Sequence, residues 1–160
     1  MPAVFVAAGS NVAPEANLAL AVRELRHAFP GIKVSPAYRN TAVGFEGPDF
    51  INLVVGFVTD RSLPDVVGEL QRIEALCGRP RDAPKWQPRA MDLDLLLYGD
   101  LICSEPGLKL PRPDLVKRAY MLGPMADIAS DAVHPTLHAS IGELWARFDR
   151  AAHPMTQVSL

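Results

Sequence analysis

Short apolar runs that could be strands alternate with longer stretches of helical period along the first hundred residues, and their order narrows the possible folds more than any other feature. Residues 3–8 are apolar and stop at Gly9-Ser10-Asn11, which reads as a buried strand and a turn. Pro14 opens a helical pattern with Leu18, Val22, Leu25 and Phe29 on one face, and Pro30-Gly31 ends it. Residues 32–38 form a second strand, and residues 39–49 a loop with two glycines and a proline. Residues 50–58 form a third strand, with Phe50, Asn52, Val54 and Gly56 on one side and Ile51, Leu53, Val55 and Phe57 on the other. Ser62 followed by Asp65, with Pro64 between, opens a second helix. Val66, Leu70, Ile73 and Cys77 face inward along it, and Gly78 ends it. A proline-broken basic loop then leads into a fourth strand beginning at Asp92. This β-α-β-β-α-β order is the split βαβ arrangement of an α+β, ferredoxin-like fold: a largely antiparallel sheet with two helices on one face.

Beyond Gly99 the pattern loosens into a C-terminal extension. Residues 108–110 suggest a short strand, residues 116–128 and 141–148 suggest helices, and residues 153–160 a frayed tail. Nothing divides residues 1–160, so one domain is expected. The formal charge of −2 argues against a nucleic-acid binder, where a strong positive excess is expected. No apolar run nears the about 20 residues of a membrane span. The chain starts directly on a strand-like run, so a cleaved leader is not expected. Two cysteines in a chain of this size suit a reduced, cytoplasmic protein.

The chemistry concentrates where the loop meets the fourth strand. Asp92 and Asp94 stand two apart, so a strand puts both carboxylates on one face, with Met91, Leu93, Leu95 and Leu97 on the other. Their Cα atoms are about 6–7 Å apart. Two such acids repel unless a cation lies between them. Mg²⁺ suits the pair, because it takes one or two carboxylates and completes its shell with water and substrate phosphates. Arg79, Arg81, Lys85 and Arg89 precede the pair and would face those phosphates, so the stretch reads as a magnesium–nucleotide site. Trp86 sits in the same loop, either as a plug beneath it or as a cover for a flat ring. Asn52 lies among apolar residues, where a buried amide needs either backbone partners or a heterocycle edge. Phe50 on the same face is core or a stacking surface. Gln71 and Glu74 form a polar stripe one turn apart on the second helix. Gly9-Ser10-Asn11 is too short for a phosphate loop, and no GxxxxGK[ST] motif occurs. His134 and His138 have ligand spacing, but Pro135 argues against a zinc pair on a helix.

With these residues laid out, the chain resembles the 6-hydroxymethyl-7,8-dihydropterin pyrophosphokinases. The likeness rests on Gly9-Ser10-Asn11, Phe50-Ile51-Asn52, Gln71-Arg72-Ile73-Glu74 and Gly78-Arg79. It rests above all on Trp86-Gln87-Pro88-Arg89-Ala90-Met91-Asp92-Leu93-Asp94-Leu95. It spans roughly residues 3–145 in the right order. The resemblance implies transfer of a diphosphate group from ATP to the pterin hydroxymethyl group, with release of AMP. It implies that Asp92 and Asp94 hold two Mg²⁺ ions, and that Phe50 and Tyr120 sandwich the pterin while Asn52 reads its edge. Thr41, Ala42 and Val43 would touch the pterin through their backbone. Trp86 and Arg89 would close over the site, Arg81 and Arg118 would bind phosphates, and Gln71, Glu74 and Leu95 would line the nucleotide side. Small-molecule substrates, no nucleic acid, no membrane and a monomer are expected.

Two positions depart from the family pattern. Arg112, between Pro111 and Pro113, replaces a histidine that would reach the nucleotide; arginine still offers phosphate contacts but cannot exchange a proton at neutral pH. Asn40-Thr41-Ala42 replaces the usual Thr-x-Pro of the pterin loop. The alternatives are a paralogue of the same fold that binds pterin or nucleotide without transfer, and an RNA-binding ferredoxin-like module. The third strand lacks the basic-aromatic stacking set that the RNA module needs.

Overall fold

The sheet forms because its three longest strands are apolar on both faces and so must be covered twice. The computed structural model describes residues 1–41, 47–78 and 90–160. Strands β1 (Ala3–Ser10), β2 (Lys33–Val34), β3 (Ala37–Asn40), β4 (Phe50–Val58), β5 (Asp92–Tyr98) and β8 (Thr156–Val158) make one sheet, ordered β5-β1-β4-β3-β8 with β2 also paired to β4. Every pairing is antiparallel. Helices α1 (Pro14–Ala28) and α2 (Leu63–Leu76) join the strands as the split βαβ order requires. Strands β6 (Cys103–Glu105) and β7 (Leu108–Leu110) form a separate hairpin.

One face of the sheet packs against α1 and α2. Val4, Val6 and Ala8 of β1 alternate inward with Ile51, Leu53 and Val55 of β4 and meet Leu18, Leu25, Val66, Leu70 and Ile73 of the two helices. The Ser62 hydroxyl accepts from the Asp65 N–H and fixes the start of α2, as its sequence predicts. The opposite face is covered by the extension. Ala7, Val54 and Leu97 pack there against Met121, Leu122 and Met125 of α3 (Ala119–Ala129) and Ile141 of α4 (Ile141–Arg147). The molecule therefore has helices on both sides of the sheet, the second pair added by the extension.

Four local expectations change. The second strand is interrupted at Ser35-Pro36, giving β2 and β3, because proline cannot donate to a ladder. Leu97 leaves the face of Met91, Leu93 and Leu95 for the other core, since the register with β1 slips between Phe5–Leu97 and Val6–Leu95 and leaves Leu96 as an extra residue. The tail carries β8, which pairs with β3 through Ala37–Val158, Tyr38–Gln157 and Arg39–Thr156. An edge strand with open backbone groups supplied the partner. The stretch expected as a helix from residue 116 begins instead with a 3₁₀ turn, Pro113–Val116, and α3 starts at Ala119.

Candidate active site

A row of residues crosses the sheet at one end. Asp92 on β5 is paired with Gly9 on β1, Gly9 with Asn52 on β4, and Asn52 with Tyr38 on β3. One step along, Asp94 is paired with Ala7, and Ala7 with Val54. Cross-strand partners present their side chains on the same face, so Asp92, Asp94, Asn52 and, two residues before it, Phe50 share one side of the sheet. It is the side covered farther along by α3. The pairing thus joins acids and amide that lie about forty positions apart in the chain.

The amide is held closely. Asn52 is 6% exposed. Its Nδ2 donates to Asn40 Oδ1, and Asn40 Nδ2 donates to the Thr41 carbonyl at 2.9 Å. The side chain lies over Gly9: a Cβ there would be 2.3 Å from Asn52 Oδ1 and 3.8 Å from Phe50 Cδ1. Glycine at this position is a requirement of space, not of backbone conformation. Beside the Asn40 end opens a cavity of about 280 Å³, whose walls include Asn40, Thr41, Arg118, Tyr120, His153 and Met155. Burial pushes the Tyr120 phenol above its ordinary pKa; among its charged neighbours Arg118 lowers it, Asp114 and Asp94 raise it, and Arg112 lowers it. Tyr120 is therefore a neutral phenol at physiological pH and stands within electrostatic reach of Asp94.

On the outer edge of β5 two segments satisfy backbone groups that β1 cannot reach. Glu74 of α2 accepts the Leu93 N–H at 2.9 Å through Oε2, between the two aspartates. The Arg112 N–H donates to the Leu96 carbonyl at 3.0 Å. Arg112 also sends its guanidinium toward the acids: Nη2 is 3.5 Å from Asp94 Oδ1 and 3.8 Å from Asp114 Oδ2. Asp94 is 29% exposed and Arg112 34%, so the pair is partly shielded from water. Arg118 is the residue before α3 and reaches the cavity wall.

Of the residues singled out in the sequence, Asp92, Asp94, Phe50 and Asn52 come together on one face, with Thr41, Arg118 and Tyr120 at the neighbouring cavity. Glu74 and Gln71 lie on α2, Glu74 bonded to β5 and Gln71 exposed. The Leu95 side chain is 6% exposed and belongs to the main core, which leaves only its backbone to meet a ligand. Ala42, Val43, Arg79, Arg81, Lys85, Trp86 and Arg89 lie outside the described residues. Nδ1 of His134 accepts from the N–H groups of Thr136 at 3.3 Å and Leu137 at 3.1 Å, so that nitrogen's lone pair is already used. Sequence reasoning gave no site role to Gly9, Asn40, Asp114 or the tail residues at the cavity. Gly9 had a signal, as the last small residue before a polar turn; the tail had none.

Residues 5–130 match the family described as 7,8-dihydro-6-hydroxymethylpterin-pyrophosphokinase. A 2-amino-4-hydroxy-6-hydroxymethyldihydropteridine pyrophosphokinase of Pseudomonas aeruginosa is 37% identical over 132 residues, covering 80% of this chain and 81% of the relative. One of Synechocystis is 38% identical over 151 residues, covering 92% and 76%. Among solved structures, an HPPK-DHPS in complex with substrates superposes with a TM-score of 0.72 at 11% identity, over 94% of this chain and 44% of that longer one. That likeness carries the fold alone.

Proposed function

Since the chain belongs to the 7,8-dihydro-6-hydroxymethylpterin-pyrophosphokinase family, we propose how its own residues divide the work of that reaction. The protein is a transferase of folate biosynthesis. It takes ATP as co-substrate and passes a diphosphate group to the hydroxymethyl group of 6-hydroxymethyl-7,8-dihydropterin, releasing AMP.

Asp92 and Asp94 hold the divalent metal, two Mg²⁺ ions in our reading. The donor set fits that ion: two carboxylates on one face, and among the described residues no cluster of three or more His, Cys, Asp or Glu that would suit a metal caged by protein alone. Bound there, Mg²⁺ neutralises phosphate charge and polarises phosphoryl oxygens. Asn52 binds the pterin edge with its amide, and Phe50 and Tyr120 hold the ring between them, with the backbone of Thr41, Ala42 and Val43 alongside. Arg112, Arg118 and, from the loop, Arg81 meet the phosphates, while Trp86 and Arg89 close over the site. Gln71 and Glu74, with the Leu95 backbone, take the nucleotide side.

The observation that carries this reading is the row Asp92–Gly9–Asn52. It sets the acid pair and the amide two strands apart, about 10 Å between Cα atoms. A ring read at Asn52 can then present its hydroxymethyl oxygen to phosphates held at the aspartates. Diphosphoryl transfer depends mainly on such positioning and on charge neutralisation, so no strong general base is needed. Among the described residues no helix is long and apolar enough to cross a membrane. Both cysteines are free, which suits a reducing cytoplasm, and we read the protein as a cytoplasmic monomer. The direct test incubates it with ATP, Mg²⁺ and 6-hydroxymethyl-7,8-dihydropterin and follows AMP. Binding of both substrates without AMP would identify a non-transferring paralogue instead.

A further inference from the structure

Arg112 stands where the family pattern has a histidine that reaches the nucleotide, and its contacts in this chain go beyond that role. Its backbone is pinned to the edge of β5 by the N–H bond to Leu96, so its side chain starts beside the acid pair. Nη2 lies against Asp94 Oδ1 at 3.5 Å and Asp114 Oδ2 at 3.8 Å. Its Nε is buried and finds no acceptor among the described residues, so the guanidinium is not seated in a fully satisfied structural network. A divalent ion on Asp94 would face this fixed positive charge across the same carboxylate. The two cations compete for one anion, and their mutual repulsion opposes double occupancy.

We propose that Arg112 is a resident counter-ion of Asp94 that is displaced when the metal–nucleotide complex arrives, and that then pairs with the incoming phosphates. The inference rests on the reading of Asp92 and Asp94 as metal-binding carboxylates. Before substrate binds, the guanidinium relieves the repulsion between the two acids and makes the site a poor trap for free metal. When metal enters with a triphosphate, the same side chain has a new anionic partner. Its planar fork suits phosphate oxygens as well as it suits a carboxylate. Arg112 is thus a positioning residue that makes metal and nucleotide load together, and Asp114 is the anchor that keeps it within reach during the exchange.

The test is binding of Mn²⁺ to the nucleotide-free protein, followed by the electron-spin signal of free Mn²⁺. Arg112→Gln should bind Mn²⁺ about fivefold more tightly than the wild type, the scale expected for losing one partly screened charge pair. Arg112→His, neutral at pH 8, should show the same gain and covers the case in which Arg112→Gln folds poorly. Arg112→Lys keeps the charge and should stay near the wild type. The manganese complex of a non-hydrolysable ATP analogue should show the opposite order, binding Arg112→Gln about fivefold more weakly. Unchanged or weaker binding of free Mn²⁺ by both neutral variants would overturn the proposal. Asp94→Asn separates the two levels: loss of Mn²⁺ binding upholds the metal reading whatever Arg112 does, and wild-type binding by Asp94→Asn overturns both.

Discussion

Replacing Gly9 by alanine tests the geometry on which the pterin assignment rests. The added Cβ would meet Asn52 Oδ1 at 2.3 Å and Asn52 Cγ at 3.4 Å. Ordinary contacts lie beyond 3 Å, so the amide must retreat by roughly 1 Å. It has little room, being 6% exposed and tied to Asn40. The retreat costs strain or the Asn40 bond, and an amide left unpaired in the interior costs about 1–3 kcal/mol. For a chain of this size a loss of about 2 kcal/mol lowers the melting temperature by roughly 4–8 °C. The nearest atoms to the new methyl group belong to Asn52 and Phe50, so the loss should fall on pterin binding. Titration calorimetry with pterin, in the presence of a non-hydrolysable magnesium nucleotide, should show a Kd raised about 10-fold to 100-fold. Affinity for the nucleotide alone should change much less. Adding Asn52→Ala to Gly9→Ala removes the clash, so the double variant should be more stable than the two single losses predict, while pterin affinity stays low. Wild-type pterin affinity and melting temperature in Gly9→Ala would refute the claim that Asn52 sits over Gly9 and reads the ring.

Three further outcomes can be checked. Asp92→Ala and Asp94→Ala should keep the fold and lower AMP release by about 100-fold or more, measured at saturating substrates with circular dichroism as the control; near-normal turnover in either would count against the metal assignment. Glu74→Ala removes the acceptor of the Leu93 N–H between the aspartates and should cost about 1.5–3 kcal/mol in denaturant unfolding, with Glu74→Gln recovering much of it. A wild-type unfolding midpoint in Glu74→Ala would show that water replaces the carboxylate. His134 is 5% exposed, and burial, with a smaller effect of His138, holds its imidazole below the ordinary pKa of 6.5. The folded protein therefore resists a proton that the unfolded chain accepts, so stability is full above about pH 6.5 and falls as the pH drops below it. The fall between pH 7.5 and 5.5 should be shallower in His134→Gln, and an equal slope in both proteins would exclude His134 as its source.

Local periodicity carried much of this molecule. The Ser62 cap and the inward face Val66, Leu70, Ile73 and Cys77 depend on neighbours within one or two turns, and they appear as expected. The shared face of Asp92 and Asp94 follows from the two-residue pleat alone. The same reasoning failed at Leu97, because a bulge is set by the partner strand and changes the parity of everything after it. It failed for the tail as well: Thr156–Val158 is a strand only because β3 offers an open edge more than a hundred residues earlier.

The chain by itself determined which residue types were available for the chemistry, the order of strands and helices, and the pairing of two acids on one face. Tertiary structure alone decided that Gly9 stands between Asp92 and Asn52, that Asn40 holds the amide, and that Arg112 rests on Asp94. These are contacts between residues far apart in sequence, fixed by strand register and by which segment covers an edge. No short window of sequence contains that information.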